Sequence, residues 1–354
     1  MRRPVNSILA GGLAVLLSGG LWIAAPAPHA LAGERSLGEL LKQLQSADTL
    51  AERMRAAEGI AEYGPSVVPR LLPLLDHPDP RTQEYACLAL VRLGPEAEAA
   101  VPSLIRQASR RDCVFRRYAI FALHQIGPPA APAVPALIGV LTEDAPDCRL
   151  AAAEALAGIG QAAVPALIET LRRPDPRASC AACLTLQQLG AQAVSAIPAL
   201  LEAVAAPDES LRDEIFMTLA GFGGDAVEPL ARLLDSPEPG LRRRAALTLG
   251  RLQRTAHPSE AALGKRTQDS DASVRFWAVR SLAAIGAASP ATRQYLLQAV
   301  GDSDPNVRWQ ALTSLASVAP ELARQAARDL LDDPHPSVRK QAQAVAEALD
   351  PERA

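Results

Sequence analysis

The stretch Asp271-Ala272-Ser273-Val274-Arg275-Phe276-Trp277-Ala278-Val279-Arg280-Ser281-Leu282-Ala283-Ala284-Ile285-Gly286 decides the fold of this chain. An acid opens it and a glycine closes it. Between them Arg275 is followed by Ala278, Leu282 and Gly286, three, seven and eleven positions on. Val274, Ala278, Leu282 and Ile285 fall on one face of a 3.6-residue period, so the stretch reads as a helix with one buried stripe. The acid suits an N-cap, where a carboxylate accepts from orphan amides, and the glycine suits the left-handed residue that ends a helix.

The same phrase returns along the chain. Arg116, Ala119, Leu123 and Gly127 repeat it, as do Arg149, Ala152, Leu156 and Gly160. Closing glycines stand at 64, 94, 127, 160, 190, 223 and 286, and degenerate ends fall at Gln253 and Ala319. The column headed by Arg275 reads Arg53, Gln83, Arg116, Arg149, Ser179, Arg212, Arg242, Arg275, Arg308 and Arg339. A second phrase interleaves with the first: Pro69, Pro102, Pro135, Pro165, Pro198 and Pro229 precede Leu-rich runs such as Pro135-Ala136-Leu137-Ile138. Proline at the first turn starts a helix without losing a hydrogen bond, and Asp79-Pro80, Asp175-Pro176 and Asp304-Pro305 do the same for the first phrase. Each repeat is therefore two helices. Neither can bury its apolar face alone, and stacking neighbours does so. The expectation is an all-α solenoid of about ten stacked two-helix repeats over residues 33–354.

The motif Asp-Pro-x-Val-Arg-x-x-Ala, carried by Asp304, Pro305, Val307, Arg308 and Ala311 and again by Ser337, Val338, Arg339 and Ala342, resembles the HEAT-like repeat of phycobilisome lyases and of many bacterial repeat proteins. The resemblance spans nearly the whole chain after residue 36. It implies a scaffold more than a chemistry. One activity it implies is that of an accessory subunit assisting a cofactor-attachment enzyme. A resemblance to deoxyhypusine hydroxylase, a HEAT-like di-iron enzyme, fails, because that family needs His-Glu pairs and this sequence has none.

Composition agrees with the repeats. Hydrophobic residues make up 49% of the 354 residues but aromatics only 3%, so the apolar content is mostly Ala and Leu, the strongest apolar helix formers. The net charge of −3 favours no partner class, though residues 33–241 are acidic and 242–354 mildly basic.

The N-terminus reads as an address. Arg2 and Arg3 precede an apolar run, Ile8–Ile23, and Ala30-Leu31-Ala32 offers a small-residue exit before Gly33. Residues 1–32 are read as a signal peptide or, uncleaved, a membrane anchor. The expected location is periplasmic or secreted, with N-terminal anchoring as the alternative. That segment is the only membrane association expected.

The arginine column looks like an active ladder. Acids stand four residues before it, among them Asp112, Asp208, Asp271 and Asp304, and would cancel the field that nucleic acid needs. The reading is a structural ladder in which Arg116, Arg149, Arg212, Arg242, Arg275 and Arg308 pair with the acidic cap of their own or the next repeat, and no nucleic acid is bound. The five histidines form no ligand pattern, so neither metal, cofactor nor catalytic residue is expected. Cys87 and Cys183 share a core register, and Cys113 and Cys148 flank adjacent turns. Residues 253–268 lose the apolar second-helix pattern and read as a bend or a contact loop.

The scarce aromatics are the anomaly. Phe276, Trp277 and Trp309 stand one or two positions after the arginine column, where other repeats place Arg117, Asp213, Arg243 or Lys340. Exposed aromatics beside arginine are the usual make-up of a binding hot spot. The functional expectation is a monomeric, non-catalytic scaffold or adaptor that binds a protein or peptide through these three residues.

Overall fold

A computed structural model describes residues 36–110, 115–143 and 146–349. The N-terminal segment 1–32, Asp112 and Cys113 lie outside the described residues. Among those described, all regular structure is helical.

Two compact units divide at Leu189 and Gly190. The first holds α1 (Leu37–Ser46), α2 (Leu50–Ala61), α3 (Val68–Leu71), α4 (Pro80–Leu93), α5 (Val101–Ser109), α6 (Arg116–Ile126), α7 (Val134–Leu141), α8 (Pro146–Ile159), α9 (Val164–Leu171) and α10 (Pro176–Leu189). The second holds α11 (Ile197–Ala203), α12 (Glu209–Gly221), α13 (Val227–Leu233), α14 (Pro239–Arg251), α15 (Glu260–Arg266), α16 (Ala272–Ala284), α17 (Pro290–Val300), α18 (Pro305–Val318), α19 (Pro320–Asp329) and α20 (Pro336–Ala348). Even-numbered helices are the first helices of the repeats. Within the first unit α2, α4, α6, α8 and α10 pack in succession, and within the second α12, α14, α16, α18 and α20 do so. Most odd-numbered helices pack chiefly against the first helix that follows them in sequence. This is the all-α solenoid of stacked two-helix repeats that the periodicity requires.

Burial follows the phrase. Val274, Ala278, Leu282 and Ile285 are fully buried, as are Ala119 and Leu123 on α6 and Ala152 and Leu156 on α8. Asp208, Asp271 and Asp304 cap α12, α16 and α18 by accepting from the amides of Leu211, Val274 and Asn306. Ser36 and Glu39 form a reciprocal capping box on α1.

A short 3-10 segment joins the two helices of many repeats. It has four residues at Gly64–Val67, Gly160–Ala163 and Gly223–Ala226, and seven at Gly94–Ala100, Gly190–Ala196 and Gln253–Ser259. The difference of three residues is one full 3-10 turn, so a 33-residue repeat presents its side chains in the same directions as a 30-residue one.

All seven closing glycines have positive φ, and Gln253, in the same place, is the only non-glycine among the described residues that does, with φ 51°. A left-handed side chain costs roughly 1–2 kcal/mol. Gln253→Gly is therefore expected to raise stability by about 1 kcal/mol in a urea titration. An unchanged midpoint would show that the Gln253 side chain offsets its backbone strain. At Ala319 the repeat closes differently, in an extended residue (φ −148°, ψ 76°) that runs straight into α19.

Residues 253–268 correct the sequence reading. They are a 3-10 segment followed by α15, so the second helix is present where its apolar pattern is lost. Leu263 is fully buried, and Gly264 admits the ring of Tyr295 so closely that a Cβ there would sit 2.2 Å from its Cε2. One leucine and one missing side chain do the packing that Val-Pro-Ala-Leu-Ile does elsewhere, so the apolar pattern was lost without losing the helix.

Candidate interaction surface

The arginine column clamps each repeat in two directions. Backwards, it closes its own inter-repeat turn. Arg53, Arg212, Arg242, Arg275, Arg308 and Arg339 each donate to the carbonyl six residues earlier, on Ala47, Ala206, Ser236, Asp269, Asp302 and Asp333, at 2.7–3.0 Å. Gln83 does the same to His77 at 2.6 Å. Forwards, the guanidinium reaches an acid of the next repeat. At Arg53 and Arg212 that acid is the next cap, Asp79 at 3.0 Å and Glu238 at 2.6 Å.

At Arg242, Arg275 and Arg308 the acid stands two residues before the next cap. Arg242 grips Asp269 at 2.8 and 2.7 Å, Arg275 grips Asp302 at 2.7 and 2.8 Å, and Arg308 grips Asp333 at 2.7 and 2.8 Å. These are bidentate forks. The physical reason is division of labour. Asp271 and Asp304 spend their carboxylates on helix amides, while Asp269, Asp302 and Asp333 also accept the amide two residues on and so brace the turn. Burial pushes the Asp269 carboxyl up, but its hydrogen bonds from Arg242 and the Asp271 amide bring it below the usual carboxylate range. Asp302 is lowered against burial by Arg275, and Asp333 chiefly by Arg308.

In the first unit Arg116 pairs with Glu143, 27 residues on, at 3.0 Å from Nη2. Arg149 lies half-buried on α8. Ser179 stands in the same column on α10 and donates to Leu171 at a long 3.5 Å.

Phe276, Trp277 and Trp309 are all half-buried, Phe276 and Trp277 on α16 and Trp309 on its neighbour α18. The rings of Phe276 and Trp277 meet edge to face, 5.4 Å between centroids. Arg280 lies over the Trp277 ring at 4.9 Å, a cation–π distance. Phe276 and Trp309 occupy the same register on the two helices, one residue after Arg275 and Arg308.

The structure adds residues that the sequence reading passed over. Arg244 shares the register of Trp277, yet it is buried and reaches back one repeat to Asp213 at 2.8 Å and to Glu209. It thereby occupies the acids nearest the surface patch. Leu247 on α14 is half-buried and Met217 on α12 is 41% exposed. Both stand five residues after the arginine column, one turn from the register of Phe276 and Trp309. The signal was present as recurrent large apolar residues, Leu88, Phe121, Leu184, Met217 and Leu247, at a register that elsewhere carries Glu58, Glu154, Arg280 and Thr313 and that helical periodicity assigns to solvent.

His124 points Nδ1 at the Glu154 carbonyl, 2.9 Å away, so that nitrogen carries the proton and the ring bridges α6 and α8. No cluster of three metal-binding side chains occurs among the described residues. Cys87 and Cys183 are buried in the core register expected of them.

The HEAT-repeat family profile matches residues 37–112, 101–164, 134–220, 197–263 and 260–349, which together run from α1 to the end of α20. The chain belongs to the HEAT-repeat family. Among solved structures, a crystal structure of the karyopherin Kap121p is similar over 87% of this chain and 40% of its own length, at 14% identity and a TM-score of 0.55. The chain thus spans less than half of that protein, and at this identity the likeness is one of fold. An engineered protein is 22% identical over 88% of this chain and 98% of its own, with a TM-score of 0.38. No curated protein matches the sequence.

Proposed function

We propose that this protein is a non-catalytic interaction scaffold outside the cytoplasm that holds a protein or peptide on the first helices of its second unit. The observation that carries the reading is the half-exposed cluster of Phe276, Trp277 and Trp309, with Arg280 stacked on Trp277. A protein with so few aromatics spends three of them at registers where several other repeats place charge, such as Arg117, Asp213, Arg243 and Lys340, and aromatics beside arginine dominate interface energetics. The HEAT fold supports the reading because each repeat touches only its neighbours, leaving a long face free for a partner. Location outside the cytoplasm is supported by Arg2-Arg3, the apolar run and Ala30-Leu31-Ala32, and the mature N-terminus should then be found near Gly33.

The test is a photo-crosslinking residue at position 309, used in intact cells, with Trp277→Ala as the control. A crosslinked partner should appear and its affinity should fall by about 2 kcal/mol in the variant, the scale of a hot spot. The urea midpoint of Trp277→Ala should move far less than that of a core truncation. Crosslinking that is indifferent to Trp277, or a variant that unfolds, would assign the cluster to packing between repeats.

A further inference from the structure

The face around the aromatic cluster has a width, a spacing and a sign of charge, and together they specify an occupant. Four apolar side chains form a row across successive first helices of the second unit: Met217 on α12, Leu247 on α14, Phe276 on α16 and Trp309 on α18. The row steps by one helical turn between Leu247 and Phe276. Packed helices lie about 10 Å apart, so the anchors repeat at about that interval.

Cations border the row on both sides. Arg243 stands one turn before Leu247 and Arg251 one turn after it, and Arg280 stands one turn after Phe276; all three are exposed. No carboxylate among the described residues pairs with Arg243 or Arg280, and Arg251 donates only to the Met217 sulfur. The nearby acids do not balance them. Asp213 and Glu209 are held by Arg244. Glu214 is half-buried on α12. The result is an apolar row with Arg243 on one side and Arg251 and Arg280 on the other.

The geometry points to an acidic amphipathic α-helix of a partner protein, laid across the first helices with its apolar stripe on the row. The width fits. Arg243 and Arg251 are eight residues apart on one helix, about 12 Å along its axis, and a helix with its side chains is about 10–12 Å across. The spacing fits as well. Seven residues of helix rise about 10.5 Å and return to nearly the same face, so one heptad of the ligand advances by one repeat of the scaffold. The ligand would carry Leu or a similar residue on the seam and Glu or Asp on both flanks. This inference rests on the scaffold reading above and names its partner class.

The probe is a fluorescein-labelled synthetic peptide of about three heptads, with Leu on the seam and Glu on both flanks. Its comparators are the same peptide with Lys for Glu and an acidic proline-rich peptide of equal length and charge. Anisotropy with the full chain should show the Glu helix binding at least about tenfold tighter than the Lys helix at low salt. The gap should narrow as salt rises from about 50 mM to about 500 mM, because the rims are exposed. Arg243→Glu with Arg280→Glu should reverse the preference, with an unchanged circular dichroism spectrum as the folding control. A single reversal, Arg280→Glu, should reduce the gap if the double variant fails to fold. Equal affinity for the two helices, no measurable binding of the Glu helix, or tighter binding of the proline-rich peptide would overturn the proposal. The scaffold reading fails separately, on the absence of a Trp277-dependent crosslink.

Discussion

Arg242→Ala is expected to destabilise the protein by about 3–5 kcal/mol, the loss that follows when a buried ion pair is left with one partner. The side chains of Arg242 and Asp269 are 9% and 2% exposed, joined by two short hydrogen bonds, and Arg242 also closes its own turn through the carbonyls of Ser236 and Pro237. Removing the guanidinium leaves the buried Asp269 carboxylate with only the Asp271 amide and a longer contact to Arg266 at 3.5 Å. A urea midpoint on the purified variant measures the loss. If Arg242→Met combined with Asp269→Leu recovers most of it, the cost is an uncompensated charge; if the pair of changes is as damaging as the single one, the turn carbonyls matter more. The effect is also tied to pH. The folded carboxyls of Asp269, Asp302 and Asp333 lie below their ordinary value. The stability they contribute is fully present above the unfolded carboxylate pKa of about 3.9 and is lost as pH falls through the lower folded values. Without Arg242, the buried Asp269 carboxyl is expected to rise above the ordinary value and gain stability on protonation. The difference between the wild type and Arg242→Ala should therefore shrink below about pH 4. A gap that stays constant with pH would mean that Asp269 carries no charge in the native protein.

Leu282→Ala should cost about 2–5 kcal/mol, the range for a core leucine. Leu282 is fully buried on α16, in the same column as Leu123 and Leu156. α16 packs against both α14 and α18, so the cavity opens between three first helices whose rows are held at fixed spacing by the Arg242 and Arg275 clamps. That restraint limits collapse and places the expectation in the upper part of the range. Leu297, on the second helix α17 and 40% exposed, provides the contrast: Leu297→Ala should stay within about 0.5 kcal/mol. Equal midpoint shifts for the two variants would show that α16 is not in the register described.

Much of this was legible in the primary structure because a solenoid is nearly one-dimensional. Interactions that define a repeat recur at fixed separation, so the column of Arg53 through Arg339, the closing glycines and the buried Ala and Leu positions could be seen as periodicity before any helix was placed. Even the deviant Gln253 was visible as the residue standing where a left-handed glycine belongs. What periodicity misread was residues 253–268, where helix formation survived the loss of its apolar pattern. There a single glycine let Tyr295 fill the space from the next second helix, and no local rule reports a side chain arriving from 31 residues away.

By itself the sequence determined the fold class, the two-helix repeat, the caps and the presence of three aromatics just after the arginine column in adjacent repeats. Each of these depends on interactions within about one turn of helix or on a strict repeat, and both leave a written pattern. The tertiary structure alone decided which acid each arginine grips. Asp271 and Asp304 lie nearest the column in sequence, but their carboxylates cap α16 and α18, so the clamps fall to Asp269, Asp302 and Asp333 of the following turns. It also decided that Arg244 is buried and pairs with Glu209 and Asp213 while Arg243, its neighbour in sequence, stays exposed. One residue of rotation, about 100° around a helix, separates a packed ion pair from an exposed cation. Only the placement of the adjoining helix says which side of that rotation is covered.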